Sequence, residues 1–110
     1  MKPSKIFLLI ALSLLSIAAC NQESESDKNP DAKRGRAVFL ANCTACHNND
    51  PSKDGAIGPA IKGSPRELIE ARVLYGVYPP NYKSKRPTKI MPQFPFLKNE
   101  IPYLAAYLAN

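Results

Sequence analysis

Histidine occurs once in this sequence of 110 residues, cysteine three times and tryptophan not at all. A single imidazole excludes any site that needs two from one chain, and three thiols fall one short of a four-cysteine zinc site. The longest apolar stretch, Ile6 to Ala19, stops at Cys20, short of the roughly 20 residues a membrane-spanning helix needs. Alternating strand patterns are missing, and no segment repeats. A chain of this length holds one domain, and what remains after these exclusions is a small helical unit.

What is present begins with Lys2 and Lys5 ahead of the apolar stretch, the pattern of an export signal. Its end, Ile17-Ala18-Ala19-Cys20, resembles a bacterial lipobox. That resemblance implies a lipoprotein signal peptide at 1–19, removed by cleavage before Cys20, whose sulfur would then carry diacylglycerol. An ordinary secretory signal with an incidental Cys20 is the alternative, and both export the chain. Several acyl chains, at about 0.8 kcal/mol per buried CH₂, anchor stably where one binds only marginally. The expected location is a membrane-anchored lipoprotein facing the periplasm or the cell exterior.

Residues 21–30 carry no aliphatic or aromatic side chain and cannot bury enough surface to offset the entropy of ordering. Residues 20–30 therefore read as a flexible tether and 31–110 as the folded domain. A domain of this size usually needs a staple.

Three helices are expected in it. The first runs from about Asp31, as N-cap, to Asn42, with Val38, Phe39 and Ala41 apolar. The second opens on Ser64-Pro65-Arg66-Glu67, which combines an N-cap, a first-turn proline and a capping-box glutamate. It closes at Gly76, with Leu68, Ile69, Val73 and Leu74 as its buried face. The third runs from about Asn99 to Ala109, with Ile101, Leu104 and Leu108 at helical spacing.

The first helix delivers the chain to Cys43-Thr44-Ala45-Cys46-His47. Two thiols separated by two residues can add across the two vinyl groups of a porphyrin, and the adjacent imidazole can ligate its iron. With three cysteines and one histidine, chance produces this C-x-x-C-H pattern about once in a thousand such chains. A thioredoxin-like pair would need a βαβ setting, a zinc site would need more ligands, and a plain disulfide would leave His47 unexplained. The expected cofactor is one covalently bound haem c on Cys43 and Cys46, with His47 as an axial iron ligand.

The usual sixth ligands are histidine, methionine or none. His47 is the sole histidine and Met1 leaves with the signal, so Met91 is the axial candidate, in Ile90-Met91-Pro92. The plainer role for Met91 is core filling. With both axial positions taken, the iron is suited to single-electron transfer and not to catalysis. Ile57, Ile61, Leu68, Ile90, Phe94 and Leu97 are candidates to keep water from the ring.

These pieces resemble a bacterial class I mono-haem cytochrome c over residues 31–110. Gly35 and Phe39 precede the haem motif, Gly58-Pro59 follow it, Met91-Pro92 come late, and Leu104-Ala105-Ala106-Tyr107-Leu108 end it. The resemblance implies an all-α small cytochrome c fold of three to four helices around one haem. It also implies that Pro59 offers its carbonyl to His47 Nδ1, and that Gly35 and Phe39 cross against Leu104 and Tyr107. Residues 77–89 match nothing in the family pattern. Tyr82, Arg86 and Lys89 are therefore only candidates for the haem propionates, and no tryptophan can donate to them.

The formal net charge is +6, and losing Lys2 and Lys5 leaves 13 basic against nine acidic residues. Two propionates would lower that +4 to about +2, which does not indicate nucleic-acid binding. Lys83, Lys85, Arg86 and Lys89 cluster with no acidic residue among them, either as a solvated loop or as a docking surface for acidic redox proteins. The expected function is a membrane-tethered electron carrier between redox protein partners, with the membrane met through the lipid and no small-molecule substrate. The alternatives are a haem subunit of a larger redox complex, or a ligand-sensing or assembly component.

Overall fold

The computed structural model describes residues 25–110. The expected signal segment at 1–19 and the lipidation candidate Cys20 lie outside the described residues. Four α-helices occur among them: α1 (Glu25–Lys28), α2 (Pro30–Asn42), α3 (Arg66–Tyr75) and α4 (Ile101–Leu108), with a 3₁₀ turn at Pro95–Glu100 running into α4. No strand is present among the described residues, as the sequence pattern led us to expect, and no helix there is long and apolar enough to cross a membrane.

Helix α2 starts one residue earlier than expected, and its cap is Asn29 rather than Asp31. Asn29 Oδ1 accepts from the Asp31 and Ala32 amides at 3.0 and 3.4 Å, while Pro30 takes the first helical position, where a missing N–H costs nothing. The short α1 falls inside the segment that composition marks as a tether. The buried face of α2 is Ala32, Gly35 and Phe39, spaced three and four apart, whereas Ala41 is exposed.

Helix α3 buries Leu68, Ile69, Val73 and Leu74 as its periodicity requires. Its N-terminus differs from expectation: Pro65 occupies the cap position, and the Ser64 hydroxyl donates to the Ile61 carbonyl at 2.6 Å instead of capping. Gly76 closes the helix in the left-handed region, at φ 66°. The expected third helix begins as the 3₁₀ turn and becomes α-helical only at Ile101.

The core lies where α2 crosses α4. Phe39, Ile69, Val73, Leu74, Leu97, Ile101, Leu104, Tyr107 and Leu108 form one buried cluster. Phe39 and Tyr107 meet with ring centroids 5.4 Å apart, tilted by 48°, a geometry favoured by the ring quadrupoles. Gly35 sits so close to the Tyr103 carbonyl that a Cβ there would overlap it, and would lie 2.9 Å from Tyr107 Cβ.

Beside this crossing Arg34 donates to both Glu100 carboxylate oxygens, at 2.9 and 2.6 Å, with its guanidinium 4.1 Å from the Tyr103 ring centroid. The Arg34 hydrogen bonds hold the Glu100 carboxyl below its usual range. Its small stabilising contribution is therefore present above the ordinary carboxylate pKa and lost as pH falls through the lowered one.

Helix propensity alone favours alanine over glycine by about 1 kcal/mol, so the sign of a Gly35→Ala change separates propensity from close approach. The crossing predicts a loss of about 2 kcal/mol, a drop of roughly 10 °C in Tm for a domain this size. Thermal unfolding checks it, and a raised Tm would show that the helices are not in the contact described.

Candidate functional site

The C-terminus of α2 hands its hydrogen bonding directly to the pentapeptide. The Cys43 amide donates to the Phe39 carbonyl at 2.9 Å, Thr44 Oγ1 to the Leu40 carbonyl at 3.1 Å, and the His47 amide to the Cys43 carbonyl at 2.9 Å. One tight turn thus carries both thiols and the imidazole away from the helix.

Residues 48–60 then fold back over that turn. The Cys46 carbonyl accepts from the amides of Ile57 and Gly58 at 3.2 and 2.9 Å, and the Gly55 amide donates to the Gly58 carbonyl at 2.9 Å. This brings the Pro59 carbonyl oxygen to 2.8 Å from His47 Nδ1. With that nitrogen engaged as a donor, Nε2 is left to act as a metal ligand. Gly58 passes against the ring face: a Cβ there would lie 2.5 Å from His47 Cε1 and 2.6 Å from Nδ1.

Cys43, Cys46, His47 and Met91 all line one cavity of about 500 Å³, walled by Phe39, Ile69, Val73, Leu104 and Leu108 from the core and by Ile57, Ile61, Leu68, Ile90 and Phe94 around them. Leu97, expected on this wall, is instead buried in the helix core, because the 3₁₀ turn aims it between the helices. Met91 is carried by a segment tied to the end of α3, where the Phe94 amide donates to the Val73 carbonyl at 2.7 Å and Gln93 Nε2 to the Tyr75 carbonyl at 3.2 Å.

Burial pushes the Cys43 thiol up to about 11, with the neighbouring Cys46 adding to the effect. That is opposite to the lowered pKa of a thioredoxin-like pair, and Cys43 and Cys46 are not joined to each other. No group of three or more metal-ligating side chains of the zinc type occurs among the described residues. The donor set therefore suits a large apolar ligand that bonds covalently to the sulfurs and takes an imidazole at its metal.

Two wall residues, Arg72 and Tyr78, had no role in the sequence reading, and a third, Lys85, was read there only as part of the basic cluster. Arg72 is buried, at 8% exposure; it donates to the Gly76 carbonyl at 2.7 Å and lies 4.3 Å from the Tyr78 ring centroid. It has no carboxylate partner among the described residues, and a buried unpaired cation is costly, so the wall suits a ligand that brings its own carboxylates. Tyr78 stacks on Tyr82 at 5.5 Å, because Asn81 at φ 64° turns the chain and the Tyr82 amide donates to the Pro79 carbonyl at 3.1 Å. Pro79-Pro80-Asn81 is a type II turn signal that could have paired the two tyrosines from sequence. Lys85, the third, lines the cavity as do Tyr82 and Arg86, whereas Lys89 does not.

The cytochrome c family profile matches residues 32–110. The chain is 36% identical over 78 residues to a cytochrome c-553-like protein of Synechocystis sp., a match covering 71% of this chain and 67% of that one. It is also 36% identical over 73 residues to a protein named cytochrome c55X from Pseudomonas aeruginosa, covering 59% of this chain and 60% of the relative. No solved structure matches the chain significantly.

The contact at Gly58 makes a direct prediction. Gly58→Ala costs about 1–3 kcal/mol of stability through overpacking and displaces the His47 ring from the Pro59 carbonyl. Thermal unfolding and the ring resonances of His47 measure the two effects, and wild-type values for both would show that the loop accepts a side chain.

Proposed function

From the premise that the chain belongs to the cytochrome c family and carries one covalently bound haem c, we propose that it is a lipid-anchored carrier of single electrons between redox proteins outside the cytoplasm. The observation that carries the electron-transfer part is the shared cavity: two thiols, an imidazole held through its Nδ1 and a methionine line one apolar chamber. When bound, haem supplies a one-electron iron couple, with a methionine ligand raising its potential relative to a second histidine.

The protein's own residues do the rest. Cys43 and Cys46 would hold the porphyrin through thioethers, and His47 and Met91 would be the protein's ligands to its iron. Pro59 fixes the tautomer and orientation of the imidazole. Arg72, stacked on Tyr78, supplies a cation to a haem carboxylate. The aliphatic wall would limit water at the ring, and an iron ligated by both His47 and Met91 would be suited to electron exchange rather than to binding a substrate. The anchor rests on sequence alone: Cys20 follows a lipobox-like Ile17-Ala18-Ala19.

The basic cluster divides into two parts. Lys85 Nζ donates to the Ala60 carbonyl at 2.7 Å and Arg86 pairs with Asp54 at 3.6 Å. Lys83 and Lys89 are exposed and make no hydrogen bond or ion pair among the described residues, so these two are the charges placed to steer an acidic partner.

Two experiments test the proposal. Met91→Ala is expected to retain the c-type bands and lose the far-red sulfur-to-iron transition of the oxidised protein, and an unchanged visible spectrum would remove Met91 from the iron. Replacing both Lys83 and Lys89 by glutamine is expected to slow reduction by an acidic redox protein about two- to tenfold at low salt. It should also flatten the salt dependence; unaltered rates at every ionic strength would leave the pair without a docking role.

A further inference from the structure

Pro59 and Ala60 share one peptide unit, and both of its polar ends are in use. Its carbonyl oxygen is 2.8 Å from His47 Nδ1. Its N–H donates to Asp54 Oδ1, also at 2.8 Å. A carboxylate is a strong acceptor, and drawing on the N–H of an amide pushes electron density toward its carbonyl oxygen. Consecutive hydrogen bonds polarise one another in this way, by roughly 10–30% per bond. The Pro59 oxygen thus becomes a better acceptor for the His47 Nδ1 proton, and an imidazole that donates more strongly there is a more basic ligand at its other nitrogen.

We propose that Asp54 is a positioning residue that acts through the Pro59–Ala60 peptide on His47, strengthening its donation to iron and lowering the reduction potential of the bound haem. This rests on His47 being an axial ligand, as proposed above. Arg86 tempers the effect, because its Nη2 stands 3.6 Å from Asp54 Oδ2 and competes for the carboxylate's charge. The adjoining backbone is held as well: Lys85 Nζ donates to the Ala60 carbonyl, in the peptide that follows, at 2.7 Å, and Asn48 Nδ2 to the Asp54 carbonyl at 3.2 Å. Asp54 itself is exposed, so its direct field at the iron is screened within about 10 Å at 0.1 M salt, while the bonded route is not.

The test uses the full-length haem-loaded protein and five variants: Asp54→Asn, Asp54→Ala, Arg86→Gln, the double variant of Arg86→Gln with Asp54→Asn and, as a control, Asp50→Asn. Asp50 is a nearby exposed carboxylate bonded to Ser52 and not to the Pro59–Ala60 peptide. The readouts are the midpoint potential at low and high salt and the His47 Nδ1–H resonance of the reduced protein. Both Asp54 variants should shift the potential positive, retain the shift at high salt and move the resonance upfield as its hydrogen bond weakens. Arg86→Gln should shift the potential negative, and the double variant with Asp54→Asn should lose that negative shift. Asp50→Asn should match wild type.

Asn can still accept from the Ala60 amide, so Asp54→Asn keeps the loop folded should the alanine variant fail. A wild-type potential and Nδ1–H signal in Asp54→Asn overturn the proposal, as does a lowered Tm alone or a shift that vanishes at high salt. An Nδ1–H resonance absent from wild type, despite c-type haem bands, would instead overturn the His47 ligation on which the proposal rests.

Discussion

The constraint on which this molecule depends is that its helical core and its ligand cavity share a wall. Phe39, Ile69, Val73, Leu104 and Leu108 belong both to the buried cluster and to the chamber lining. A domain of about 80 residues buries too little surface to be robust alone, and haem supplies apolar area that its own side chains do not. The proposed attachment through Cys43 and Cys46 would tie that area to the end of α2, and α2 is the helix whose other turns cross α4 at Gly35. The close approach at Gly35 and the proposed covalent attachment eight residues later would thus be two fixed points on one helix.

How much of this was legible in the sequence depends on how local the physics is. The helical faces were: Leu68, Ile69, Val73 and Leu74 on α3, and Ile101, Leu104 and Leu108 on α4, are set by periodicity. So was Gly76, since a left-handed closing residue is a local property. Caps were less legible where several candidates adjoin. Asn29 and Asp31 both flank Pro30, and Ser64 had a nearer carbonyl in Ile61, so a capping-box pattern went to a different bond. Leu97 is apolar in either setting, and nothing short of the 3₁₀ turn tells which side of the helix layer it faces.

The site divides in the same way. The thiols and imidazole announce themselves because haem attachment requires them adjacent in the chain. Arg72 does not, since a charged residue on an amphipathic helix normally reads as solvent-facing, and its burial comes with Tyr78, which reaches it from the loop that follows α3. Lys85 and Arg86 read as free surface charge for a similar reason. Their partners, the Ala60 carbonyl and Asp54, lie some 25 and 32 residues back along the chain, and only the fold brings them together.

That rearrangement changes what a basic cluster means here. Four like charges in seven positions look like one electrostatic feature, but two of them are fastened to the loop that orients His47. Steering needs charges that are hydrated and free to meet a partner, whereas holding a loop needs charges already satisfied. One short segment therefore serves two purposes that compete for the same side chains, and the division falls by reach. Lys83 and Lys89 stand at its ends, while Lys85 and Arg86 in the middle face the 54–60 loop. Charge that a partner protein meets at Lys83 or Lys89 adjoins two residues, Lys85 and Arg86, that are fastened to the 54–60 loop. Docking and the electronic environment of the imidazole are thus mechanically adjacent, separated by a few residues of one loop.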